Sequence, residues 1–180
     1  MIDLRQPDLP TAIICDGRAY EVRTSFRVWI EFGRMLEEER RAWYGVFAGD
    51  RPEGADWVEA AVEFHRSPTV TPRQSKSHGP REIDLVEDGE LIVAAFQQAY
   101  GIDLTASDMH WHRFKALLAG IPEDTRLAQV MAIRGYTKQS DKRDHDAEMR
   151  KRQQTWRLPD PGENEARADV LKWAETYFGD

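Results

Sequence analysis

The stretch GELIVAAFQQAYGIDLTASDMHWHRFKALLAGIPEDTRLAQVMAIRG, Gly89–Gly135, decides the fold. At about 100° per residue, Leu91, Ile92, Ala95, Phe96 and Ala99 share one arc, which predicts a helix over 89–100. Gly101 stands where a left-handed C-terminal cap belongs. Thr105-Ala106-Ser107-Asp108 has the spacing of a capping box with Asp for Glu, so the next helix is expected to open there and end at Gly120. Pro122 is expected to start another, with Leu127, Val130, Met131 and Arg134 on one side. Short amphipathic helices joined by brief turns describe a bundle.

Working outward, the N-terminal side begins with Ala12-Ile13-Ile14-Cys15, Asp16-Gly17 and Arg18-Ala19-Tyr20-Glu21-Val22-Arg23. Asp-Gly between two β-prone runs predicts a hairpin with a type I′ turn. Thr24 or Ser25 then caps a helix to about Arg41, with Phe26, Trp29, Ile30, Phe32, Gly33 and Leu36 on one side. A second helix is expected over about Ala55–His65. On the C-terminal side, a polar helix is expected over Lys142–Trp156, and an amphipathic one carries Val170, Leu171, Trp173, Ala174, Tyr177 and Phe178. The fold class is therefore mainly α, about six to seven short helices with an N-terminal β-hairpin. Residues 1–136 form the hairpin and bundle, with 67–82 an exposed loop. Residues 137–180 form a C-terminal part that serves either as a partner-binding arm or as a cap on the bundle.

Composition narrows the class. The chain has 180 residues, a single cysteine and a net charge of −7. One cysteine makes no internal disulfide, which points to a reducing compartment. No apolar run approaches the roughly 20 residues of a membrane span, and the N-terminus MIDLRQPDLP lacks a signal-peptide pattern. These features describe a soluble, acidic, intracellular protein. The acidity is broken by two basic segments, 67–82 at net +2 and 137–158 at net +3.

Chemistry finds little support. His110 and His112 would lie about 200° apart on a helix and could not chelate one ion. On that phasing His110 shares an arc with Trp111, Phe114, Leu117, Leu118 and Ile121, while His112 points to solvent with Lys115. His65 lies on an apolar arc and reads as a core histidine. No metal and no cofactor is implied. Cys15 has no basic neighbour to activate it and reads as a buried strand thiol. Neither a nucleophile elbow nor a phosphate loop is present, so an enzyme is not expected. Arg150-Lys151-Arg152 with Trp156-Arg157 offers charge and an aromatic plane for nucleic acid. Asp141, Asp144, Asp146 and Glu148 in the same segment make a charge-paired helix the better reading.

Tyr100-Gly101-Ile102-Asp103-Leu104, His110-Trp111, Phe114, Leu117-Leu118, Gly120, Thr125 and Arg134 resemble, in order and spacing, the gp-fifteen-like proteins of siphophages and prophages. Asp16-Gly17, Tyr20, Val22 and Phe26-Arg27 resemble more loosely the start of small tail assembly proteins. Beyond Tyr136 the chain matches no pattern of the family. The genes of that family lie between the major tail protein and the tape measure. The resemblance therefore implies a tail assembly chaperone in the bacterial host cytoplasm, with the tape measure protein as partner and the major tail protein as a second. Its motif residues Tyr100, Gly101, Asp103, His110, Trp111 and Phe114 are expected to serve the fold. Contact with the partner is expected from Arg150, Arg152 and Trp156. The competing classes are a head–tail connector retained in the virion and a DNA-associated accessory protein.

Overall fold

Asp16 and Gly17 both take positive φ, 50° and 74°, the geometry a two-residue hairpin turn demands. They close strand β1 (Ala12–Cys15) on β2 (Arg18–Glu21), antiparallel, with Ala12 opposite Glu21 and Cys15 opposite Arg18. Alternation buries Ile13 and Cys15 and leaves Ile14 outside. The computed structural model describes residues 8–37, 44–53, 57–66, 81–138 and 143–159. Most of the expected loop 67–82 and the whole of the expected last helix lie outside them.

Six α-helices follow among the described residues: α1 (Phe26–Glu37), α2 (Trp57–Arg66), α3 (Gly89–Tyr100), α4 (Trp111–Ala119), α5 (Arg126–Arg134) and α6 (Arg143–Thr155). A 3-10 turn, Tyr44–Val46, lies between α1 and α2 in sequence. The fold is mainly helical with an N-terminal hairpin, as the sequence pattern requires. The core gathers Phe26, Trp29 and Phe32 of α1, Trp57, Ala61 and Phe64 of α2, Phe96 of α3 and Trp111 and Phe114 of α4. Trp29 stacks on Phe64 at 4.4 Å and donates its indole N–H to the Arg23 carbonyl at 2.7 Å. Phe114 lies between Phe26 and Phe96, at 4.8 and 5.3 Å.

Two helix starts differ from the sequence expectation. The helix expected from Thr105–Asp108 begins only at Trp111, with His110 as its N-cap. The Thr105 hydroxyl and amide both donate to Asp103, at 2.6 and 2.8 Å, and close a turn. Asp108 accepts from the Ser25 hydroxyl at 2.9 Å. An isolated antiparallel bridge pairs Ser25 with His110, through Phe26 N–H to Met109 carbonyl and Trp111 N–H to Thr24 carbonyl. Contacts distant in sequence thus hold 108–110 extended against the local capping signal. Pro122 likewise does not open α5. Thr125 does, its hydroxyl accepting from the Ala128 amide at 3.3 Å.

Candidate partner-binding site

Each of the motif residues has a structural contact. Tyr100 ends α3 and donates its hydroxyl to the Leu117 carbonyl on α4 at 2.8 Å. Gly101 follows at φ 64°, its amide bonded to the Gln97 carbonyl at 3.1 Å. A side chain there would meet left-handed backbone strain, so Gly101→Ala should cost about 1 kcal/mol in a urea melt. Asp103 is exposed, and its bonds from Thr105 hold its carboxyl below the usual range. Trp111 is buried, donates to the His65 carbonyl at 3.0 Å and stacks on the His65 ring at 5.0 Å.

The histidines are placed opposite to the wheel argument. His112 is the buried one, its Nε2 2.9 Å from the Phe64 carbonyl on α2. His110 is half-buried, with Nε2 2.8 Å from the Pro10 carbonyl and Nδ1 accepting the His112 amide at 3.0 Å. The cause is the displaced helix start: a residue that precedes the helix as its cap does not follow the helical wheel. Facing carbonyls at Nε2, both rings carry the proton there, and Nδ1 of His110 is the acceptor. Burial pushes His65 and His112 down to about 4 and lowers His110, with the Lys115 charge adding to each. Burial also lowers Lys115 to about 8, although its ammonium donates to the His65 carbonyl at 2.5 Å. Urea melts should show His112→Ala costing about 2–3 kcal/mol and His110→Ala about 1. Equal costs would mean that the Phe64 bond contributes nothing. Among the described residues, no group of three His, Cys, Asp or Glu side chains is placed to hold a metal.

The C-terminal contact residues sit on and beside α6. Arg150 is exposed, and Arg152 is exposed and paired with Glu148 one turn back at 2.6 Å. Trp156 is half-buried, with the Arg126 guanidinium 4.9 Å from its ring centre. The polar character of α6 does not keep it from docking. The Tyr136 hydroxyl bonds buried Asp146 at 2.6 Å, and the Gln153 amide donates to the Arg134 and Tyr136 carbonyls at 3.2 and 2.8 Å. An apolar stripe is not the only way to hold a helix. Polar side chains that satisfy exposed carbonyls at the end of α5 do so here.

Pattern reading missed one group. Arg134 of α5 is buried and makes a two-pronged pair with Asp88, Nη1 to Oδ2 at 2.6 Å and Nη2 to Oδ1 at 2.9 Å. It also donates to the Glu82 carbonyl at 3.0 Å and to the Trp156 carbonyl at 2.6 Å. One guanidinium therefore ties together the start of α3, the end of α5 and the exit of α6. Asp84 prepares the α3 end by accepting the amides of Val86 and Glu87 at 2.7 and 2.8 Å, and it pairs with Arg81. A charged residue on the apolar arc of a helix was the available signal, since burying one requires a partner.

Most of the helices that carry these contacts fall within a family match. The family model described as bacteriophage Gp15 protein matches residues 59–158, from within α2 to just past α6. The family pattern therefore extends beyond Tyr136, where the sequence reading found none. No curated protein and no solved structure matches the chain. Among the described residues, no helix is long and apolar enough to cross a membrane.

Proposed function

Because the chain belongs to the bacteriophage Gp15 protein family, we propose that it is a non-enzymatic tail assembly chaperone that binds the tape measure protein. The family match carries this reading, together with the gene neighbourhood that the motif Tyr100–Arg134 implies. A tape measure is a long helical chain, and apolar stripes left exposed on it would aggregate until the tube forms around it. A chaperone for such a chain requires a rigid helical body and surfaces of modest affinity, and no catalytic step. The aromatic core supplies the first requirement: the three fully buried indoles of Trp29, Trp57 and Trp111 lie in it. Trp156 is proposed as one contact, its ring presented at the exit of α6 and steadied by Arg126.

Co-expression tests the reading. The tape measure protein made alone should sediment as aggregate, and with this chain most of it should remain in the supernatant as a complex. An unchanged soluble fraction would contradict the proposal. Trp156→Ala separates folding from contact. Losing a half-buried ring and its cation–π partner should cost the isolated protein about 1 kcal/mol, against a further 1–2 kcal/mol, roughly, in affinity if it is a hot spot. An isolated-protein loss near 3–5 kcal/mol, roughly that of a core tryptophan, would make Trp156 a packing residue only.

A further inference from the structure

Helix α3 carries the apolar run LIVAAF across Leu91–Phe96, bordered by Glu90, Gln97 and Gln98. Its inner side is covered: Ile92, Ala95 and Phe96 are buried in the core. Its outer side is more open among the described residues: Glu90, Ala94 and Gln97 are exposed, while Val93 is half-buried and also packs against the core. Glu90, Val93, Ala94 and Gln97 follow one another at i, i+3, i+4 and i+7 and so share a face. With Val86, which is 54% exposed, they line an open groove of about 740 Å³. The charged residues lining the groove are Glu87 and Glu90, with no basic one.

We infer that this face of α3 docks an amphipathic helix of a partner, whose apolar stripe is bordered by lysine or arginine. The inference rests on the chaperone reading and gives its surface: the partner segment would be a basic-edged helix of the tape measure. In helix-in-groove recognition the incoming helix lays an apolar stripe into the groove, and Val86, Val93 and Ala94 are the apolar side chains that would meet it here. The acidic rim disfavours acidic occupants. Residues 160–180 of this chain carry six acidic and two basic side chains, so the chain's own tail would bring like charge to Glu87 and Glu90. A second copy docking face to face would do the same. Basic residues on the incoming helix instead neutralise the rim and speed encounter.

The probe is a pair of labelled five-turn helical peptides with the same leucine stripe, one edged with lysine and the other with glutamate. Fluorescence anisotropy should give the lysine peptide at least about tenfold tighter binding to the full chain. Val93→Asp should remove about tenfold or more of that affinity, and Glu87→Lys with Glu90→Lys should reverse the preference between peptides. Ala94→Asp, at an exposed position, repeats the test should Val93→Asp melt early. Equal affinity for both peptides, or unchanged binding by variants that melt as the parent does, would overturn the inference. The co-expression assay keeps it distinct from the chaperone reading. If the parent chain solubilises the tape measure and the folded Val93→Asp chain does so equally, the surface is wrong and the function stands. If the parent fails there while the peptides follow the expected order, the surface stands and its partner is another basic-edged helix.

Discussion

Replacing Asp88 by asparagine, or Arg134 by methionine, should destabilise the protein by about 3–5 kcal/mol, the usual consequence of leaving one member of a buried ion pair without its counter-charge. The pair is buried on both sides, at 7% and 3% exposure, and its two parallel bonds fix the geometry. Removing the guanidinium also strands the Glu82 and Trp156 carbonyls that it serves. Urea unfolding of the two single variants and the double variant measures this. The double variant should cost clearly less than the sum of the singles, because each first substitution already destroys the shared contact. Losses under about 1 kcal/mol would mean that water reaches the pair and the interior around it is not dry.

The second large effect is with pH. His65 and His112 are held neutral by burial, with folded values near 4 against 6.5 when free. The unfolded chain therefore takes up protons between those values that the folded chain does not. Stability is full above about pH 7 and falls as the pH drops from 6.5 toward 4. Discounted for solvent screening, the loss by pH 4.5 should reach about 2–3 kcal/mol. For His65 the geometry points the same way: among the described residues its buried Nε2 has no hydrogen-bond partner. For His112 the bond from Nε2 to the Phe64 carbonyl favours the charged ring, and burial outweighs it. A His65→Gln, His112→Gln variant should show a flatter profile across this window in urea melts taken at successive pH values. An unchanged slope would assign the acid sensitivity to carboxylates instead.

Where the signal was local, the sequence was legible. Asp16-Gly17 specifies its turn through two positive φ values that few other pairs adopt. The stripe of α3 and the glycine after it mark the extent and the end of that helix. Legibility failed where a distant segment decided. Thr105–Asp108 has a capping pattern, but Ser25 takes Asp108 and the strand-like pairing of 24–26 with 109–111 delays α4 to Trp111. That shift alone inverted the reading of His110 and His112. The Asp88–Arg134 pair spans 46 positions, and no periodicity connects two charges so far apart. The docking of α6 was hidden for a related reason: its adhesion is polar, through Asp146 and Gln153, and hydrophobic patterning is blind to it. The residues expected to meet a partner remain on that helix and its exit. The groove beside α3 is not legible in the helix's own pattern, because Val86, Glu87 and Thr105 from outside the helix help to form it.

The proposed function makes one demand that the rival structural role does not: the protein must hold the tape measure during assembly and be gone afterwards. Quantitative mass spectrometry of the tape measure, isolated from infected cells before tail completion and again from purified particles, measures both halves. This chain should be found in amounts comparable to or above the tape measure in the early sample and be absent from the particle. Its presence in the finished particle at a fixed ratio to the tail proteins, with none on the early tape measure, would contradict a chaperone and identify a virion component instead.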